Sequence, residues 1–288
     1  MLHLFQSKSS FLTRQVASLG LDAVALVRLQ HGWSTRLLDK RHVPLMPENQ
    51  TQPWSNAVAE LEKLLIKSGS GIPITIVLAN QWVRYKIIPA LPALTATDKM
   101  MAVASHCFRE SYGDSVDGWM IRVNPLPDGD TLLASAIDAA LVEALQSLCK
   151  KYRCPLRSIQ PYLMSGFNSA RRQMHTDASC FVQVEAGRLN IALMREGAWQ
   201  SIAGCGIGAD WSVDLSALIE REMLLAGWKN VQPTVYFSTL PSLQDERTKQ
   251  LFVQNNATWH VLQVKQRSVM GYVVSQDQPY AMAMSGVA

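Results

Sequence analysis

Two carboxylates and a spaced run of glycines are the residues best placed to do chemistry. Asp22 sits in Leu19-Gly20-Leu21-Asp22, where one apolar run gives way to the next. Glu185 opens the turn Glu185-Ala186-Gly187-Arg188 between two β-favouring runs. Carboxylates on facing hairpins could share Mg²⁺. The plainer alternative is a surface turn residue and a hairpin residue with no metal between them. Gly204, Gly206 and Gly208 precede a helical pattern that begins at Trp211. Backbone N–H groups at such a junction could cradle a phosphate. The distal acid of a dinucleotide fingerprint is absent, so a glycine-rich strand-to-helix connection explains the spacing equally well. Arg171, Arg172, Arg188 and Arg195 read either as an anion contact or as a solvated face. No histidine has a metal-ligand partner at helical spacing, and no Ser/His/Asp or Cys/His signature stands out. The sequence therefore nominates no catalytic residue and no metal site.

The elements that must position these residues follow from periodicity. Residues 1–18 read as a polar, partly ordered lead. Leu19–Leu29 and Trp33–His42 form a hairpin, and His42–Pro53 is a loop interrupted by Pro44, Pro47 and Pro53. Ser55 caps a helix to about Lys67. Ile74–Ala79 is a continuous apolar run, expected of a strand buried on both faces, with Trp82–Ile88 following as its neighbour. Thr97 caps a helix to Ser111. Trp119–Val123 and Thr131–Ile137 are strands, and Asp138 starts a helix through Lys151. Leu156–Gln160 is a strand and Tyr162–Arg172 a helix. Cys180–Val184, Leu189–Met194 and Trp199–Ala203 form a meander. Trp211–Leu225 is a helix turning Val213, Leu215, Leu218, Ile219 and Leu225 inward. Thr234–Phe237 is a strand, Leu243–Asn255 a helix, His260–Val264 a strand and Tyr280–Ala288 a final short helix. Strands alternating with helices in two halves, each opened by a hairpin, indicate an α/β chain.

Composition narrows the function classes. Of 288 residues, 48% are hydrophobic and 17% charged, which supports buried cores and argues against disorder. The net charge of +4 is spread along the chain, without the basic stripe of a nucleic-acid binder. No run reaches the ~18 apolar residues of a membrane span, and the N-terminus lacks the pattern of a signal peptide. Cys107, Cys149, Cys154, Cys180 and Cys205 lie mostly in apolar runs and read as reduced, buried thiols.

Six stretches carry a likeness of order and spacing over nearly the whole chain. They are Leu19-Gly-Leu-Asp-Ala-Val-Ala-Leu-Val, Leu132-Leu-Ala-Ser-Ala-Ile-Asp, Ile159-Gln-Pro-Tyr-Leu-Met-Ser-Gly-Phe-Asn, Val184-Glu-Ala-Gly-Arg-Leu, Gly204-Cys-Gly-Ile-Gly and Ala281-Met-Ala-Met-Ser-Gly-Val-Ala. In these the chain resembles the actin-like ATPase superfamily. Within it, it resembles the PilM family of type IV pilus assembly and the cytoplasmic part of the type II secretion L family. The resemblance implies a two-lobed actin-like (ribonuclease H-like) fold. The first lobe would span 1–175, with a small α+β subdomain inserted at about 93–153. The second would span 176–279, and a helix at 280–288 would return to the first.

The same resemblance implies a nucleotide site with eroded motifs. The first hairpin usually reads Asp-x-Gly followed by small or hydroxyl residues; here Asp22 is followed by Ala23, Val24 and Ala25. At the second hairpin Glu185 and Gly187 remain, but Arg188 replaces a small residue. A Gly-Gly turn expected after a late strand is replaced by Tyr236-Phe237-Ser238-Thr239-Leu240-Pro241. If nucleotide binding survives, Asp22, Glu185, Gly187, Gly204, Gly206 and Gly208 would hold ATP with Mg²⁺. Otherwise no cofactor is expected. The family function is a cytoplasmic scaffold peripheral to the inner membrane, holding the cytoplasmic tail of a single-span partner between the first-lobe core and the inserted subdomain. Trp82, Val83, Tyr85, Phe108 and Trp119 are the candidate groove residues. An assembly ATPase and a second copy of the chain are further partners; nucleic acid is not. An ATP-binding switch, or a sugar or acyl kinase with an acid at the second hairpin, are the alternatives.

Overall fold

The computed structural model describes residues 13–46, 52–90, 97–126, 129–174, 177–208, 210–239, 260–265 and 269–287. Its first sheet joins β1 (Thr13–Leu19), β2 (Ala23–His31), β3 (Thr35–Pro44), β4 (Ile74–Leu78) and β8 (Leu156–Pro161), in the order β3-β2-β1-β4-β8. The second joins β9 (Ala178–Glu185), β10 (Arg188–Arg195), β11 (Ala198–Gly206), β12 (Thr234–Thr239) and β13 (His260–Gln263), in the order β11-β10-β9-β12-β13. The two orders match strand for strand. In each, an antiparallel meander is extended by parallel strands. A third, small sheet orders β5 (Val83–Pro89), β7 (Thr131–Asp138) and β6 (Trp119–Pro125) as β5-β7-β6.

Helices α1 (Ser55–Ile66) and α3 (Ala139–Lys151) share the core of the first sheet through Leu61, Leu65, Leu141 and Leu145. The short α6 (Ala281–Ser285) packs into the same core, and Gly286 beyond it lies against Val16 and Val77. Helix α5 (Trp211–Leu225) covers one face of the second sheet. Helix α4 (Tyr162–Ala170) sits between the two large sheets, with Leu163 and Phe167 against Phe181 and Trp199. Helix α2 (Thr97–Tyr112) closes the small sheet with Phe108 and Ala104.

Several expectations need correction. Residues 13–18 are the start of a central strand, not a lead. Gln15 and Ser18 are buried, the Gln15 amide without a hydrogen-bond partner among the described residues, and Arg14 donates to the Val287 carbonyl at 2.6 Å. β5 is not a neighbour of β4. The tight turn Asn80–Trp82 sends it into the small sheet, where it pairs with β7. Ser55 is the first helical residue rather than the cap, its hydroxyl donating to the Gln52 carbonyl at 2.8 Å. On α5 the inward face is Trp211, Leu215, Ile219 and Met223, whereas Val213 and Leu225 are exposed. Gly204 and Gly206 belong to β11 rather than to a loop. The helix expected at Leu243–Asn255 falls outside the described residues.

Candidate functional site

The tips of the two leading hairpins meet. Gly187 has φ +70°, a conformation in which glycine is unstrained, and the Leu21 side chain stands 3.8 Å from where a β-carbon would be. An apolar side chain thus lies between the hairpins. The two acids part from each other. Asp22 is exposed and lines a cleft of about 230 Å³ with Ser18, His42, Gln278 and Met282. Glu185 turns inward, is 3% exposed, and accepts the Asn80 backbone N–H at 2.9 Å. Burial pushes its carboxyl up to about 7, while the Asn80 hydrogen bonds, Arg188 and Asn190 pull the other way.

Asn80 is the residue that sequence reasoning passed over. It follows β4 and is completely buried. Its amide nitrogen donates to Gln183 Oε1 at 3.0 Å. Its carbonyl oxygen accepts from the Tyr85 hydroxyl and the Leu163 N–H, both at 2.8 Å. Gln183 in turn donates to the Tyr162 carbonyl at 3.2 Å. One side chain therefore ties β4 and α4, in the first half, to β9 in the second. Gly166 leaves the room that the Gln183 amide occupies. The hint in the sequence was polar Gln183 and Glu185 following the apolar Cys180-Phe181-Val182 of β9, both on the face of Phe181 that meets α4.

The glycines of β11 make room for side chains. A β-carbon on Gly204 would lie 2.6 Å from Arg188 Nη2 and 2.8 Å from Asn190 Oδ1. The Arg188 guanidinium thus rests on Gly204 beside the buried Asn190. Gly206 has only the Gly187 carbonyl nearby, at 4.0 Å, and Gly208 has no atom within 4 Å of that position. The loop after β11 is tied to the second hairpin by the Ile207 N–H, which donates to the Gly187 carbonyl at 3.1 Å. Arg188 and Arg195 stand at opposite ends of β10 and do not converge. Among the described residues no group of three or more His, Cys, Asp or Glu could hold a metal ion.

The five aromatic and apolar candidates occupy three places. Trp82 belongs to the core of the first sheet, and Val83 beside it is completely buried. Tyr85 packs between the sheets and spends its hydroxyl on Asn80. Phe108 and Trp119 do meet, edge to face with centroids 6.1 Å apart, but Phe108 lies in the core of the small sheet with Trp119 packed on it, and the exposed Tyr112 ring lies against Trp119. A cleft of about 460 Å³ lies elsewhere, where the small sheet faces the first one. Met120 and Arg122 of β6, Ile137 of β7, and Leu156, Arg157 and Ile159 of β8 line it. β6 and β8 are both edge strands of their sheets. No aromatic marked this place in the sequence.

Solved structures with the same arrangement decide the fold. The "PilM-PilN type IV pilus biogenesis complex" matches with a TM-score of 0.68 at 14% identity, over 94% of this chain and 96% of that one. A Bacteroides thetaiotaomicron protein with actin-like ATPase fold and unknown function matches at 0.60 and 11% identity, over 90% and 94%. This is the actin-like ATPase fold. The cytoplasmic domain of EpsL, an inner membrane component of the Vibrio cholerae type II secretion system, matches at 0.57 and 10% identity, over 96% and 94%. No protein-family model matches the chain, and no curated protein matches its sequence.

Actin-like folds of this kind imply ATP and Mg²⁺ between the hairpins, and the residues present do not fit that pair. Leu21 fills the approach to Gly187. Glu185 is turned inward, 3% exposed, and already bonded to the Asn80 backbone N–H. Asp22 faces a different cleft, toward His42 and Gln278. No helix among the described residues is long and apolar enough to cross a membrane.

Proposed function

We propose that this chain is a scaffold of a type IV pilus or type II secretion-like assembly, that it works on the cytoplasmic side of the inner membrane, and that it does not hydrolyse ATP. On this reading it holds the cytoplasmic tail of a single-span membrane protein in the cleft between β6 and β8. The cleft carries the proposal. It lies between the first-lobe sheet and the small sheet, where the family resemblance expects the groove, and it is bounded by two edge strands. An edge strand offers unpaired N–H and C=O groups to an extended peptide. β8 has six residues, so it could pair with roughly 20 Å of extended tail. Met120, Ile137 and Ile159 supply apolar contacts, which a segment that orders on binding needs to offset its lost entropy. Arg122 and Arg157 are exposed on either side and could fix register. The hairpin geometry supports the non-hydrolysing half of the reading, because the two acids that would share Mg²⁺ point into different places.

The test is titration of the purified chain with a labelled peptide matching the cytoplasmic tail of the single-span protein encoded beside it. Binding in the micromolar range, lost in Ser158→Trp while the circular dichroism is unchanged, is the expected result. Absence of binding at high micromolar peptide sinks the tail reading. Calorimetry with ATP and Mg²⁺ is the second arm. No heat is expected, and a heat abolished by Asp22→Ala and Glu185→Ala would restore the nucleotide switch.

A further inference from the structure

Trp33 stands at the tip of the β2–β3 hairpin and is fully exposed, the most exposed large apolar side chain among the described residues. It is not isolated. The C-terminal segment runs back along the outer edge of β3: the Met270 N–H donates to the Thr35 carbonyl at 3.0 Å, and the Leu37 N–H to the Met270 carbonyl at 2.8 Å. Leu38 on β3, with Met270, Val273 and Val274 on that segment, are all exposed. Asp277 binds Lys40 and also accepts the Val273 N–H at 2.9 Å, which holds these side chains against the same strand. Trp33 thus leads a row of open apolar side chains that follows the β3 edge from Thr35 to Lys40, more apolar surface than a solvated hairpin needs.

The charge of this edge is one-sided. Residues 28–46 carry Arg28, Arg36, Lys40 and Arg41 against Asp39 alone, and residues 269–287 carry only Asp277. Both acids are neutralised locally, Asp39 by Arg41 and Asp277 by Lys40. Arg36, beside Met270, makes no ion pair among the described residues. Arg28 is turned inward onto the Ser68 carbonyl, so Arg36 is the cation left beside the hairpin tip. A ring that is apolar with one polar N–H, with a free cation three positions along the strand, matches the headgroup layer of an anionic bilayer.

We propose that the β2–β3 hairpin, with Trp33 as its wedge and Arg36 as its charge contact, docks the chain directly on an anionic lipid surface. Position in the fold agrees with this. Thr13 of β1 pairs with Gln30 next to the hairpin turn, and the parallel pairs Gln15 with Ile74 and Ile74 with Leu156 carry the same end of the sheet across to β8. Trp33 and the Leu156 end of the β6–β8 cleft therefore open at one end of the first sheet. A protein seated by Trp33 would present that cleft to whatever emerges from the bilayer. The lipid contact does not depend on the cleft holding a tail.

Flotation of the full chain with protein-free vesicles tests it, using phosphatidylcholine alone and phosphatidylcholine with one third phosphatidylglycerol. Binding to the anionic vesicles, weakened by salt and weak on neutral ones, is expected. Trp33→Ala should weaken partition by about tenfold, and Arg36→Glu by about thirtyfold, with thermal midpoints unchanged because both side chains are exposed. No flotation at millimolar lipid, or equal flotation of the parent and both variants, overturns the proposal. Sedimentation velocity supplies the remaining arm: a dimer at tens of micromolar that Trp33→Ala dissolves would assign the patch to a second copy of the chain and overturn it too. Because the vesicles hold no protein, failure here leaves the tail reading standing, and failure of peptide binding leaves this one standing.

Discussion

Replacing Asn80 with Ala removes three side-chain hydrogen bonds at once: to Gln183 Oε1, from the Tyr85 hydroxyl and from the Leu163 N–H. Gln183 and Leu163 are completely buried, so water cannot take over without opening the junction. A buried group left without its partner costs about 1–3 kcal/mol. Gln183 can turn to keep its bond to the Tyr162 carbonyl, and Tyr85 is only half buried, so the three losses will not be met in full. A total of about 3–5 kcal/mol is expected. That is a large share of the roughly 5–15 kcal/mol that stabilises an ordinary domain. The Asn80 backbone N–H still reaches Glu185, so the fold should survive at low denaturant. Urea unfolding at 25 °C reads the change. Since the lost bonds join the two halves, the transition should also broaden or split, and hydrogen exchange should speed up in β9 and α4 before β1 and β2. A loss under about 1 kcal/mol with a single sharp transition would refute the view that Asn80 couples the halves.

Glu185 predicts a pH dependence. Its carboxyl is held near 7 in the folded chain against an ordinary value of 4.5. Between these values the folded chain keeps a proton that the unfolded chain has lost. Stability contributed by this group is therefore full below about pH 4.5, falls as pH rises to about 7, and stays low above it, a change of about 3 kcal/mol at most. Glu185→Gln keeps an acceptor for Asn80 without the charge, so the variant should be more stable than the parent at pH 8 and close to it at pH 4.5; equal stability at both would count against a buried, protonated acid. Gly204→Ala puts a methyl group against Arg188, whose end can swing away, and against Asn190, which is buried and cannot; a loss of about 1–2 kcal/mol in chemical denaturation is expected. Gly286→Val should be worse, because a β-carbon there lies 2.7 Å from Val77 Cγ2 and 3.0 Å from Val16 Cγ1. Its thermal midpoint should fall by several degrees, following about 2–3 kcal/mol of overpacking.

Much of the element order was legible because burial leaves a periodic trace. β4 is buried at every position and reads as an unbroken apolar run. The meander β9–β11 shows its turns at Glu185–Arg188 and Glu196-Gly197. α3 declares its start, since the Asp138 side chain accepts the Ala140 N–H at 2.9 Å. β1 hid itself because Arg14, Gln15 and Ser18 look solvated. Nothing local says that Arg14 will find the Val287 carbonyl, 273 residues away. The inward face of α5 was misjudged at Val213 and Leu225 because apolar residues near helix ends carry little phase information.

The candidate site was legible in the same partial way. Its sequence marks were the acids, glycines and tryptophans, because those types carry recognisable chemistry. The sequence alone determined that Glu185 stands at a hairpin turn, that the first motif lacks its glycine, and that two similar halves alternate strand and helix; Asp22 proved to stand at a hairpin turn only once β1 was seen to pair with β2. Tertiary structure decided which way each side chain points. It buried Glu185 on Asn80, set Leu21 against Gly187, and drew Trp82 and Phe108 into separate cores. It also built the β6–β8 cleft from strands some thirty residues apart, and gathered Trp33 and Met270 onto one edge. The physical reason is common to all of these. Turn chemistry and hydrophobic period act over a few residues, whereas partners for buried polar groups, and the gaps between sheet edges, exist only once distant strands have packed.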